Sequence, residues 1–260
     1  MAIVTFISDF GESDHYVAAV KASILKENPT IQIIDINHRI KVGDIGHAAF
    51  VLGALFRDFP LGTVHLVGVS NSSIKNPKLV AVKLEEHFFI GEDSGVFSLL
   101  SDQSPFAVVD INSIAPVQST FAAKDVLGAA AGKLASGKEI QDLGKRVEVL
   151  ERFVPSRAKA TKQQIAGNII HIDHYGNLIT NILRVDFDAI MKINQNCPFE
   201  VNFRREKVNK IHEHFTEVTA GECFVIFNSL GKLQIGILQG KGSDLLGLEI
   251  NDQVFIDFKI

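Results

Sequence analysis

Ala2-Ile3-Val4-Thr5-Phe6-Ile7-Ser8, followed by Asp9-Phe10-Gly11-Glu12-Ser13-Asp14-His15-Tyr16, reads as a buried strand handing the chain to a helix. No basic segment precedes the apolar run, and an acid follows it at once. It is therefore expected to be the first strand of a fold and not a secretory signal. Ser13 suits a helix N-cap, Val17, Val20 and Ile24 recur at helical spacing, and Pro29 stops the pattern. The same alternation continues. A strand is predicted at 31–36, then a helix capped by Asp44 that runs through Ala48, Val51, Leu52 and Leu55 and ends before Pro60. Strands are predicted at 64–69, 79–84 and 88–90, a short helix near Leu99, a strand at 106–111 and an Ala-rich helix at 125–134. Strand–helix alternation of this kind predicts an α/β domain, a mostly parallel sheet sandwiched by helices, over residues 1–154.

The stretch 155–164 changes character. It is polar and basic, with Pro155, Ser156, Arg157, Lys159 and Lys162, and reads as a linker. Short strands are predicted after it, at 165–172, 178–182, 199–203, 223–227, 233–237 and 253–258, separated by turn signals at Gly221-Glu222 and Leu230-Gly231. They predict a small antiparallel β-barrel over 165–260.

Composition narrows the class of function. The 260 residues are 46 % apolar and 22 % charged with a formal net charge of −4, an ordinary globular balance. Nothing in that charge points to a nucleic acid or an anionic membrane, and no apolar run approaches the roughly 20 residues that cross a bilayer. Cys197 and Cys223 form no paired motif, so a reducing, cytoplasmic location is expected. The chain has 19 Phe, no Trp and two Tyr. Those two, Tyr16 and Tyr175, fall in the two stretches richest in potential ligand groups.

The first stretch is Ser8–Tyr16, at the carboxyl edge of a predicted parallel strand, where α/β folds bind ligands. Asp9 is suited to a ribose diol and Asp14 to a ligand ammonium. Equally, Asp14 could favour the helix dipole and Asp9 close a turn. Its Asp-Phe-Gly string lacks the companion motifs of a kinase. The second stretch is His171-Ile172-Asp173-His174-Tyr175-Gly176-Asn177-Leu178-Ile179-Thr180-Asn181. Asp173 and Asn177 flank a Gly turn, either converging on a ligand or bracing the turn through their own backbone. The pairs His171/His174 and His212/His214 lack the further ligands of a metal site. Gly236–Ser243 fails the phosphate-loop spacing, and Leu245 occupies the third Gly position of a dinucleotide fingerprint. No nucleophile elbow is present. Unaided, the residues support a ligand site at Asp9 and Asp173 and go no further, with metal binding the weak alternative.

The first stretch, together with Ile34-Asp35-Ile36-Asn37-His38, Ser119-Thr120-Phe121, Phe227-Asn228-Ser229 and above all 171–182, resembles the family of S-adenosylmethionine (SAM) hydrolases, or hydroxide adenosyltransferases, whose relatives include SAM-dependent fluorinases and chlorinases. The resemblance runs in order along nearly the whole chain. It implies an N-terminal α/β domain, a C-terminal β-barrel, and a homotrimer whose ligand lies between one subunit's N-terminal domain and its neighbour's C-terminal domain. It implies that Asp9 binds the ribose diol, Asp14 and Asp173 the methionine ammonium, Asn177 the adenine edge and Ser229 the methionine carboxylate. Phe215 would pack near the base, the backbone of 240–243 would line its far side, and Tyr16 and Tyr175 would complete the site. SAM itself is then substrate or ligand.

The chain departs from the family where the nucleophile is handled. An Asp-Pro-Gly-Val-Gly motif followed by Arg is replaced by Ser70-Asn71-Ser72-Ser73-Ile74, with Lys75 and Lys78 following and no Arg. A Phe-His-Gly-Arg-Asp motif is replaced by Phe121-Ala122-Ala123-Lys124-Asp125, and Pro-Asp-Asn-Gly by Glu92-Asp93-Ser94-Gly95. Of the hydroxyls that fluorinases place around halide, Ser73 matches one position and Ala123 replaces the other. Three readings follow: cleavage of SAM to adenosine and methionine with water positioned by Ser70, Ser73 or Lys124; binding of SAM or adenosine without turnover; or attack by halide or another anion at a small Ala122/Ala123 pocket.

Overall fold

In the computed structural model, which describes residues 2–70, 78–112 and 119–260, the opening apolar run forms β1 (Ile3–Ser8). It lies between two parallel neighbours, β2 (Gln32–Asn37) and β3 (Val64–Gly68). Successive side chains of a strand point to opposite faces. Val4 and Phe6 therefore enter one core with Val20 and Ile24 of α1 (Tyr16–Glu27), while Ile7 enters a second with Ala48 and Leu52 of α2 (Ile45–Gly53). Coverage on both faces is why β1 and β3 read as continuous apolar runs instead of alternating ones.

The chain divides into two compact units, Met1–Val154 and Pro155–Ile260. In the first, the strand order is β2-β1-β3-β5-β4-β6-β7, with β4 (Leu79–Leu84), β5 (His87–Glu92), β6 (Ala107–Asp110) and β7 (Lys145–Arg146). The α/β class expected from the sequence is the one observed. The parallel set is β2-β1-β3-β5, and the sheet continues beyond it through antiparallel pairs. The reversal comes at Glu85-Glu86, which join β4 to β5 with φ of 49° and 61°. Such backbone is usual for a two-residue hairpin, but the sequence has neither Asn nor Gly there to announce it.

The helices differ from expectation at their starts. Helix α1 begins at Tyr16 with His15, not Ser13, at its N-cap, and no side chain caps it. Asp44 does cap α2, accepting the His47 N–H at 2.9 Å. The Ala-rich helix begins earlier than predicted, with a π-helical turn at Ala123–Gly128 that continues into α3 (Ala129–Ala135).

The second unit is an antiparallel, barrel-like sheet ordered β12-β11-β15-β9-β10-β14-β13, with β8 paired to β9. Its strands are β8 (Lys159–Ala160), β9 (Gln164–Ile172), β10 (Leu178–Leu183), β11 (Phe199–Phe203), β12 (Glu206–Val208), β13 (Cys223–Phe227), β14 (Lys232–Ile237) and β15 (Gln253–Phe258). Ile165, Ile169, Leu178, Ile182, Val201, Val225, Ile235, Val254 and Ile256 fill its core. Part of the polar stretch 155–164 is strand, since Lys159 and Ala160 pair with Ala166 and Ile165. Two helices not foreseen are α4 (Arg184–Ile193), which buries only Phe187 and Ile190, and α5 (Gly242–Leu246). Among the described residues no helix is long and apolar enough to cross a membrane.

One polar chain crosses the first unit's core. Thr5 Oγ1 lies 2.7 Å from His65 Nδ1, and His65 Nε2 lies 3.2 Å from His87 Nδ1. The two imidazoles are 0 % and 1 % exposed, with Phe56, Phe59 and Phe89 around His65. Burial pushes His65 down to about 3 and lowers His87 as well, so both rings are neutral and structural. The unfolded chain binds a proton at these histidines below about pH 6.5, whereas folded His65 does so only near 3. Unfolding thus takes up protons across that window, and stability falls as pH drops through it, by at most ~1.4 kcal/mol per pH unit for one group. Urea midpoints should decline from pH 6.5 to pH 5 in the wild type and decline less in His65→Asn. Equal declines would show that His65 is not responsible.

Candidate ligand site

The register of the parallel strands builds the first half of the site. Ser8 pairs with Gly68 and Val67 with Gly91, so β1, β3 and β5 end side by side. Asp9, Ser70 and Glu92 stand at that edge. The Asp9 N–H donates to the Gly68 carbonyl at 3.3 Å, and its Oδ2 accepts the Gly43 N–H at 2.9 Å. Oδ1 has no hydrogen-bond partner among the described residues. The Ser70 carbonyl lies 3.5 Å from where a Cβ on Gly43 would stand, so Asp9 and Ser70 meet at one backbone corner. The Ser70 hydroxyl donates to Glu92 Oε1 at 2.6 Å.

Aromatic packing sets the path of the loop after Asp9. Phe10 lies over Gly68, where a Cβ would come within 3.0 Å of its ring. Its centroid is 6.2 Å from that of Tyr16 and 5.7 Å from that of Phe121, and Tyr16 and Phe121 are 5.4 Å apart. The structure thus gathers Asp9, Tyr16 and the turn at Phe121. His38 ties the loop from below. Its Nδ1 lies 2.7 Å from Ser8 Oγ, and its carbonyl accepts the Gly11 N–H at 2.8 Å. Its Nε2 lies 3.1 Å from Asp35 Oδ1, and Lys21 holds Asp35 Oδ2 at 2.5 Å. Burial works to raise the Asp35 carboxyl, but the bonds from Lys21 and His38 outweigh it and hold it below its usual range. Asp14 is exposed, with no partner among the described residues, and lies outside the first turn of α1.

Lys124 lies at the start of the π-helical segment, just after Ala123, half exposed, with its ammonium 3.3 Å from Asp125 Oδ1. The Ser119 hydroxyl donates to Asp125 Oδ2 at 2.7 Å and, with Lys124, keeps that carboxyl below its usual range. Ser73 lies outside the described residues.

In the second unit Asp173 is engaged by its own turn. Its Oδ1 accepts the N–H groups of Tyr175 and Asn177, and its Oδ2 the Asn177 side-chain amide, each at 2.9 Å. The turn-bracing arrangement is therefore present, and it leaves a fixed, partly exposed carboxylate with unused lone pairs. The other side of the Asn177 amide lies across Gly236. A Cβ on Gly236 would come 2.3 Å from Asn177 Oδ1 and 2.3 Å from the Phe224 ring, so only Gly fits. Phe224 packs at 6.2 Å against half-exposed Phe215, and the Ser243 N–H donates to the Gly176 carbonyl at 2.8 Å. Asp173, Asn177, Phe215 and the 240–243 loop thus converge at one end of β14.

Ser229 is not with them. Phe224 pairs with Gly236 and Phe227 with Leu233, three residues or ~10 Å along the ladder, and Ser229 stands in the turn beyond. Tyr175 is 73 % exposed and touches His174. His212 is a core residue, its Nδ1 3.2 Å from the Val225 carbonyl. Among the described residues no three His, Cys, Asp or Glu side chains are grouped to hold a metal. Burial pushes the Cys223 thiol up to about 11, leaving it unreactive. Sequence reasoning assigned no role to Gly43, His38 or Glu92. Only Glu92 carried a signal, as a charged residue replacing Pro.

Residues 4–144 match the SAM hydroxide adenosyltransferase N-terminal domain, and residues 167–255 the C-terminal domain of the same family. The (R)-S-adenosyl-L-methionine hydrolase of Thermus thermophilus is 28 % identical, over 96 % of this chain and 97 % of that protein. The hydrolase of the same name from Methanocaldococcus jannaschii is also 28 % identical, over 98 % and 95 %. A fluorinase of an Actinoplanes species is 23 % identical over 72 % of this chain and 73 % of its own length. The crystal structure of an uncharacterized conserved protein from Thermotoga maritima superposes with a TM-score of 0.87 at 26 % identity, covering 98 % of this chain and 99 % of that one.

The crowding at Gly236 is directly testable. Gly236→Ala should lower the urea midpoint by the equivalent of ~1–3 kcal/mol, the usual cost of overpacking. An unchanged midpoint would show that Asn177 and Phe224 are not held against it.

Proposed function

The chain belongs to the SAM hydroxide adenosyltransferase family, and from that premise we propose that it binds SAM and cleaves it by attack of water or hydroxide at ribose C5′, giving adenosine and L-methionine. The observation that carries the reading is Asp9. It stands at the carboxyl edge of the parallel strands, braced through Oδ2 by Gly43, and its Oδ1 is suited to accept a ribose hydroxyl. Tyr16 would border the same pocket. Asn177, Phe215 and the 240–243 backbone would form the adenine end, while Asp14, Asp173 and Ser229 would serve the amino-acid end, with Tyr175 beside Asp173.

The reaction asks little of the protein in covalent terms. A sulfonium departs as a neutral thioether, so no proton need be delivered to the leaving group and no cofactor is required. What the residues must supply is alignment of water, sulfur and C5′ and partial desolvation of the nucleophile. SAM is thus substrate, not cofactor. A homotrimer in the cytoplasm is part of the same proposal, and light scattering at three times the chain mass would support it.

A second reading, binding of SAM or adenosine without turnover, is favoured by two observations. Ala122 stands where the family motif has His, and the Lys124 ammonium is paired with Asp125. Incubation with SAM, with and without chloride, followed by chromatography for adenosine, methionine and 5′-chloroadenosine separates the readings. Adenosine and methionine in equal amounts are expected, and tight binding with no product would select the second reading. Asp9→Asn keeps an acceptor for Gly43 but removes the charge. It should weaken SAM binding at least ~10-fold by calorimetry, the scale of a hydrogen bond to a charged group. Unchanged affinity would refute the assignment of Asp9.

A further inference from the structure

Ser70 and Glu92 are two positions at which this chain departs from the family motifs, and one hydrogen bond joins the two departures. Ser70 follows β3 and is exposed. Glu92 ends β5 and is half buried. The Ser70 hydroxyl donates its proton to Glu92 Oε1 at 2.6 Å. A hydroxyl so committed keeps its lone pairs for an incoming O–H. A water donating to Ser70 would therefore be oriented with its own lone pairs turned away from the strand end. The position is relevant, because the Ser70 carbonyl lies against Gly43, whose N–H fixes Asp9.

Serine alone is no base, since its hydroxyl is neutral at physiological pH. A carboxylate behind it changes what the pair can do, because a proton accepted by Ser70 can be passed on as Ser70 surrenders its own. The other candidate, Lys124, has its ammonium on Asp125, and an ammonium has no lone pair to offer.

We propose that Glu92 acts through Ser70 as the positioning residue and final proton acceptor for the attacking water, an inference that rests on the SAM-cleaving reading above. The water oxygen bonds to C5′ while the C5′–S bond breaks and its electron pair stays on sulfur as the neutral thioether. The water proton passes to Ser70 Oγ as the Ser70 proton passes to Glu92, which then releases it to solvent. Ser70 is the group that touches the nucleophile.

The test uses the full chain and compares wild type with Glu92→Gln, Glu92→Asp and Ser70→Ala. Adenosine formation is followed from pH 5 to pH 9 and SAM binding by calorimetry. Glu92→Gln keeps the acceptor for Ser70 but removes the base, so kcat should fall roughly 100-fold, within the range of general-base catalysis. Its Kd for SAM should stay within about twofold of wild type, since no ligand contact is lost. The kcat lost in Glu92→Gln should return in part in Glu92→Asp. Ser70→Ala should cost as much as Glu92→Gln, with no further loss in the double variant. Thermal melts would identify a variant that fails to fold, and the two remaining variants would then decide. A Glu92→Gln protein with wild-type kcat and pH profile would overturn the relay and leave the reaction standing. Loss of SAM affinity in Glu92→Gln with kcat intact would also overturn it, marking Glu92 as structural. A wild-type protein that binds SAM yet makes no adenosine would overturn reaction and relay together.

Discussion

The candidate site in the first unit depends on the parallel register of β1, β3 and β5. Ser8 opposite Gly68 and Val67 opposite Gly91 place three strand ends in one row. Asp9, Ser70 and Glu92 are neighbours for that reason alone, although Ser70 and Glu92 lie 22 positions apart along the chain. The strands hold this register because both faces are buried, on α1 and α3 to one side and α2 to the other. Slipping by one residue would send every side chain to the wrong core. At the opposite end the Thr5–His65–His87 chain is buried, and each member hydrogen-bonds to the next, so those polar atoms do not carry the cost of an unmade bond.

The second unit reaches a fixed site by different physics. Its turn at Asp173 is held by three bonds to one carboxylate, and Gly236 lets the Asn177 amide lie flat on β14. Bracing a turn and binding a ligand are not rivals here. A carboxylate already oriented by backbone N–H groups loses little conformational freedom when an ammonium arrives, which is the advantage of preorganisation. His38 plays the corresponding part in the first unit, where Ser8, Gly11 and Asp35 meet around one imidazole.

Fold and chemistry separate in this chain. Family membership extends over both units, yet a shared fold leaves the reaction to be argued from the site. The stretches around Asp9 and Asp173 resemble the family, whereas Ser70, Glu92 and Ala122 depart from its motifs. A serine hydrogen-bonded to a glutamate is a different device from a lone carboxylate. In the proposed relay the proton acceptor stands one hydrogen bond further from the nucleophile, with Ser70 as the contact.

Much of the architecture was legible in local patterns. Helical spacing at Val20 and Ile24, the Asp44 cap, and the apolar runs of β1 and β3 depend on neighbours along the chain, so they survive in the sequence. Asp9, Asp173 and Asn177 were legible as candidates because turns concentrate such residues. The Glu85-Glu86 hairpin was hidden because its φ values are imposed by the strands it joins and not by Asn or Gly. Helix α4 was hidden because it buries only two side chains. Which residues gather around the Asp9 loop was not readable at all. Gly43, His38 and the Ser70–Glu92 pair come from separate elements, and their distances are set by strand register and by the Phe10 ring lying on Gly68. By itself the sequence determined which segments must be buried and which turns could hold a ligand, since both follow from side chains a few residues apart. The tertiary structure alone decided which polar groups face one another, because a hydrogen bond needs contact within about 3 Å, and only packing brings distant residues that close.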